Sequence, residues 1–171
     1  MSVRFVIDPL DFVRNAGIHR DKIPLCRLVR LHDLLFDKES ELTYKISGRF
    51  DKNNKPSLHL GIKGKIHLRC QRCLDKLTHI VDLQTFFLLV KNEAEFDQID
   101  EDDTIDAILA TPDLDVLNLI EEEIILSLPS SSRHPDGECK LHQPESNEDI
   151  LSDDSQSTHP FATLAKFKKT N

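Results

Sequence analysis

Cys70 and Cys73 stand as C-Q-R-C at the end of a long alternating stretch, and a third cysteine, Cys139, lies between His134 and His142. Two thiolates two residues apart can bite one soft cation, and a Cys/His cluster returned by the fold can supply the remaining tetrahedral ligands. The chemistry on offer is therefore zinc binding, thiol redox or simple burial of sulfur. A redox C-x-x-C opens a helix, whose N-terminus lowers the thiol pKa. This one follows one strand and precedes another, which disfavours redox. The fourth cysteine, Cys26, sits among leucines at helical spacing and reads as a small buried apolar residue.

A second chemistry lies on the stretch before the C-Q-R-C. Lys63, Lys65 and Arg69 alternate with apolar residues, Arg72 follows, and Lys45 and Arg49 repeat the pattern on the preceding stretch. Cationic groups on one sheet face neutralise successive phosphates, so Lys63, Lys65, Arg69 and Arg72 are the candidate RNA contacts. The same pattern also describes the solvated face that any half-buried antiparallel sheet carries. Tyr44 and Phe50 fall on the apolar side, so a stacking platform for bases, and with it sequence-specific reading, is not expected. Glu121, Glu122 and Glu123 resemble acid/base candidates, but successive helix positions diverge by about 100°. They read as an acidic helix face.

The elements that must position these groups define an α+β fold. Asp8-Pro9 is an N-cap and first helical residue for a short helix closed near Gly17, and Leu28, Leu31 and Leu35 place a second helix over about 26–36. From Leu42 the period changes to two. Strands over about 42–50, 58–69 and 78–90 form an antiparallel β-meander with one apolar and one basic face, and the turn 51–56 separates the first two. Residues 105–109 are a candidate short strand. Asp115 caps one packed helix near 115–128, with Leu117, Ile120, Ile124 and Leu128 on one face, and Pro129 stops it. The expected organisation is a single domain over 1–129 and a flexible acidic tail over 130–171. Its Cys/His segment 134–142 returns to the domain, and a short terminal docking motif spans 160–169.

Charge divides the chain more sharply than the net value of −8 suggests. Residues 1–91 carry 17 Lys+Arg against 10 Asp+Glu, or +7, and residues 92–171 carry 5 against 20, or −15. The basic half suits phosphate backbones and the acidic half suits a basic protein. No apolar run approaches the roughly 20 residues of a spanning helix, and the start lacks a secretory apolar region, so a cytoplasmic protein without a membrane partner is expected. No small-molecule substrate is evident. In a reducing compartment four cysteines do not read as a disulfide framework.

The motifs carry a family resemblance. Leu68-Arg69-Cys70-Gln71-Arg72-Cys73-Leu74, the run Asp115 to Pro129 with its E-E-E-I-I-L-S-L-P, the His134 to Cys139 pair and Pro160-Phe161-Ala162-Thr163-Leu164 are similar, in order and interval, to the YceD family of bacterial large ribosomal RNA subunit accumulation proteins. Ile7-Asp8-Pro9 and Leu28-Val29-Arg30-Leu31 fit the same pattern. The resemblance implies a non-enzymatic ribosome biogenesis factor that promotes synthesis, processing or stability of 23S ribosomal RNA. Its implied partner is precursor large-subunit RNA, a basic ribosomal protein or an assembly intermediate. It also implies a zinc ion held by Cys70, Cys73, Cys139 and, by the family-like interval, His134 in preference to His142. Some relatives carry extra cysteines near Cys139, where this chain has one. The competing expectation is a thiol- or zinc-dependent enzyme, either a C-x-x-C oxidoreductase or a metal-dependent nuclease.

Overall fold

Period-two alternation dominates the chain between residues 41 and 90, and the computed structural model, which describes residues 5–96 and 106–139, turns it into three long antiparallel strands. In chain order the elements are β1 (Val6–Ile7), α1 (Pro9–Arg14), β2 (Ile18–Pro24), β3 (Glu41–Phe50), β4 (Pro56–Arg69), β5 (Lys76–Val90), the single turn α2 (Glu93–Phe96), β6 (Asp106–Leu109), β7 (Leu114–Asp115) and α3 (Val116–Ser127). The main sheet has the order β2-β3-β4-β5-β6. All its pairings are antiparallel except β5 with β6, and β1 pairs separately with β7. The architecture is α+β, mostly antiparallel, with few helices.

The β3–β4–β5 register places Leu42, Ile46, Leu58, Leu60, Ile62 and Ile66 on one face, each fully buried. That face is covered by α3, through Val116, Ile120 and Ile124, and by the segment around Leu25, Leu28 and Leu31. The helix begins where Asp115 accepts hydrogen bonds from the amides of Leu117 and Asn118. Asp8 caps α1 in the same way, through Leu10 and Asp11. A Cβ at Gly48 would come within 2.8 Å of the Val13 backbone, so the missing side chain lets α1 rest directly on β3.

The expected helix over 26–36 is corrected. Two 3₁₀ turns, Leu25–Arg27 and Val29–Leu31, occupy its first half. Leu25, Leu28 and Leu31 recur every three residues, which is the repeat of a 3₁₀ helix. The second half is drawn to the edge of β4 beyond the end of β3, where Phe36 donates to the His67 carbonyl and Leu34 accepts from the Arg69 amide. A helix could not offer those groups sideways. Cys26, expected to be buried, is exposed, because the turn that buries Leu25 and Leu28 points the intervening residue outward.

The strand β2 has no counterpart in the sequence reading. Its core-side positions include His19, which stacks on Phe5 with ring centroids 4.3 Å apart and meets Tyr44 at 5.7 Å. The candidate strand at 105–109 is present as β6 over Asp106–Leu109. Residues 97–105 of the acidic half, with Ile105 of that candidate strand, and residues 140–171, with His142 and the 160–169 motif, lie outside the described residues. Among the described residues, no helix is long and apolar enough to cross a membrane.

Candidate metal centre and the open sheet face

Arg69 ends β4, and the chain reverses through C-Q-R-C before β5 begins at Lys76. The Cys70 amide donates to the Asp75 carbonyl at 3.0 Å and the Leu74 amide to the Cys70 carbonyl at 2.9 Å. Leu74 takes a left-handed conformation, φ 62°, to complete so tight a turn, and its side chain is left in solvent. Both cysteine side chains point inward and are buried.

The segment after α3 returns to this turn. His134 and Cys139 join Cys70 and Cys73 so that the four ligand atoms all lie within 4.8 Å of one another. Cys70 Sγ is 3.7 Å from Cys139 Sγ, and His134 Nδ1 is 3.3 Å from Cys73 Sγ and 3.7 Å from Cys139 Sγ. Zinc–sulfur bonds of about 2.3 Å in a tetrahedron put the sulfurs about 3.8 Å apart, and sulfur and nitrogen about 3.6 Å apart. The cluster has that scale. His134 Nε2 lies 3.1 Å from the Lys76 carbonyl oxygen, which can only accept. That nitrogen therefore carries a proton, and Nδ1, which faces the sulfurs, is the nitrogen a metal would take, the arrangement of a metal-ligating histidine fixed by a backbone carbonyl.

The electrostatics favour a thiolate at Cys70. Burial opposes its ionisation, but the amides of Cys73, Arg72 and His134 donate toward its sulfur and bring the thiol down to about 5. Burial pushes Cys73 up. The Cys139 sulfur and the Lys76 carbonyl raise His134. The donor set, three cysteines and one histidine, suits a soft, tetrahedral ion, and these four residues could hold one.

Of the four candidate RNA contacts, Lys63, Lys65 and Arg69 lie on the open face of β4 and are exposed. Lys63 pairs with Asp82 on β5 at 3.1 Å. Arg72 is not with them. It lies against the cysteine cluster, with Nε 2.9 Å from Cys139 Sγ and Nη1 3.3 Å from Asp136. Lys45 and Arg49 share the open face, and β2 adds Arg20 beside Lys45.

The expectation that this face has no exposed aromatic is corrected. Phe86 pairs with His59 across β4 and β5, is 51% exposed, and stacks on the imidazole with centroids 4.2 Å apart and planes 4° from parallel. The sequence placed it in an apolar run, Phe86 to Val90, yet strand parity sends Phe86 to the opposite face from Phe87, which is buried.

The α3 carboxylates do not converge. Glu121 is buried and accepts the Arg30 amide, while Glu123 accepts the Thr85 hydroxyl at 2.7 Å. The acidic helix face expected from sequence is thus partly an internal tether.

A model of the family described as "Large ribosomal RNA subunit accumulation protein YceD" matches residues 58–168. A Haemophilus influenzae protein described in the same words is 26% identical over 113 residues, covering 63% of this chain. The alignment spans 65% of that relative's length. No solved structure matches.

Proposed function

The chain belongs to the YceD family, and from that premise we propose that it is a non-enzymatic ribosome biogenesis factor that promotes accumulation of 23S ribosomal RNA. It acts by binding, with a zinc ion in Cys70, Cys73, His134 and Cys139 fastening the segment 130–139 to the end of β4. Zinc there supplies cross-linking rather than reaction chemistry, because all four ligands come from the protein, as in closed structural sites. The observation that carries the reading is continuity. The strand that presents Lys63, Lys65 and Arg69 on its open face runs directly into Cys70.

The family name supports the RNA, and the cationic face supports direct phosphate contact. The acidic balance of residues 92–171 suits a basic ribosomal protein as a second partner. An enzyme is the weaker alternative. Cys70 and Cys73 are drawn into a four-ligand cluster rather than standing at a helix N-terminus, and the α3 carboxylates are held apart by separate partners.

The test is recovery of the protein from growing cells, followed by sequencing of bound RNA at increasing salt and after nuclease treatment. Precursor large-subunit RNA that is lost with salt supports the reading. Association with ribosomal proteins that survives complete RNA digestion moves the contact to a protein partner. No enrichment of ribosomal components overturns it.

A further inference from the structure

The open face of the sheet combines three features that the family resemblance does not assign. The first is the Phe86–His59 stack, in which one ring is half in solvent. Arg49 Nη2 lies 2.6 Å from His59 Nδ1, and because guanidinium only donates, that ring nitrogen accepts and the imidazole is neutral. A neutral flat ring backing Phe86 makes a rigid aromatic platform.

The second is a depression over Gly61, one register step along β4 from His59. Arg20, Lys45, Ser47, Lys63 and Gln84 surround it, and the absent side chain of Gly61 lets the Gln84 amide lie across β4 as its floor, where a Cβ would come within 2.9 Å of Gln84 Nε2. The third is charge that the described residues leave uncompensated. Arg20 and Lys45 lie side by side across β2 and β3, and neither has an acidic partner among the described residues. A concave cationic site beside a standing aromatic ring matches one ligand chemistry: an anionic phosphate attached to a flat base. Duplex RNA does not satisfy it, since paired bases are stacked on one another and cannot reach the ring.

We propose that the open face is a single-stranded RNA site, in which a base stacks on Phe86 and the adjoining phosphate sits against the Gln84 amide between Arg20 and Lys45. It rests on the RNA-binding reading above and narrows it to unpaired nucleotides, such as the loops and processed ends of a precursor. Recognition is tolerant of sequence, because every base has a face to stack.

The experiment measures fluorescence anisotropy of the full-length protein with a labelled single-stranded RNA, the same RNA annealed into a duplex, and an abasic strand of equal length. Phe86→Leu is expected to weaken binding to the single strand by between about fivefold and a hundredfold, the range for one lost stacking contact. It should leave the abasic strand unchanged. The double variant Arg20→Ala/Lys45→Ala should weaken all three and flatten the salt dependence. His59→Gln, which removes the backing ring, should reproduce part of the Phe86 effect. Unchanged single-strand affinity in Phe86→Leu with a folded protein, while the cation variants still weaken binding, overturns the stacking site and leaves the phosphate contact standing. No binding of any RNA by the parent protein overturns both.

Discussion

The amide of Gln71 donates to the carbonyl of Ser132 at 2.8 Å, joining the C-Q-R-C turn to the returning segment through the main chain. With the His134 bond to the Lys76 carbonyl, this contact brings the four candidate ligands together by backbone geometry, so a metal held there would reinforce an arrangement the fold already favours.

Metal removal is therefore expected to act locally. The sheet core of Leu58, Leu60, Ile62 and Ile66 is buried by α3 and the 3₁₀ turns, not by the cluster. Hydrogen exchange after chelation should rise most over residues 70–76 and 130–139, while the central amides of β3 and β4 remain the slowest to exchange. Global exchange on chelation would contradict this.

Cys26 is the one cysteine the fold leaves in solvent. Titration of the native protein with a thiol reagent is expected to modify Cys26 rapidly and the other three slowly, with all four reacting after denaturation. Cys26→Ser should change stability by no more than about 0.5 kcal/mol, whereas Leu31→Ala, which opens a cavity at a fully buried position, should cost about 2–5 kcal/mol.

Glu121 holds the 3₁₀ segment to α3 by accepting the Arg30 amide. Glu121→Ala leaves that amide without its partner and is expected to cost about 1–3 kcal/mol in denaturant unfolding. Glu121→Gln keeps an acceptor and should cost less. Equal losses would show that the carboxylate acts through charge instead.

Glu123 gives a pH signature. Burial, only partly offset by the Thr85 hydroxyl, raises its pKa, so the folded state binds its proton more tightly than the unfolded chain does. Its contribution to stability falls as pH rises through the window from the unfolded carboxyl value to the raised folded one, and remains unfavourable above it. Glu123→Gln should therefore melt slightly higher than the parent at pH 7, by less than about 1 kcal/mol for a half-buried and screened group. The difference should vanish below pH of about 4.

The β3–β4–β5 meander was legible because alternation of period two survives wherever one face is buried and the other wet. The strand β2 was not. Its core-side His19 is polar and becomes acceptable only because Phe5 and Tyr44 cover it, a tertiary fact. Over 26–36, Leu28 and Leu31, three apart, suit α and 3₁₀ geometry alike, and the β4 edge, which takes a hydrogen bond from Phe36 and gives one to Leu34, decides between them. At the site, the spacing of Cys70 and Cys73 was informative by itself, whereas the approach of His134 depends on where the chain emerges from α3. Phe86 is hidden at the head of an apolar run in which alternation disappears, although its register opposite His59 follows from strand parity.

The most direct measurement is elemental analysis of protein purified without an affinity tag, for the parent and for single variants at Cys70, Cys73, His134, Cys139 and His142, paired with thermal melting. The expected result is one zinc per chain, lost in the three cysteine variants and in the His134 variant, retained in the His142 variant, and accompanied by a lower Tm wherever metal is lost. A parent free of metal, with Cys70→Ser melting as the parent does, would contradict the structural zinc centre.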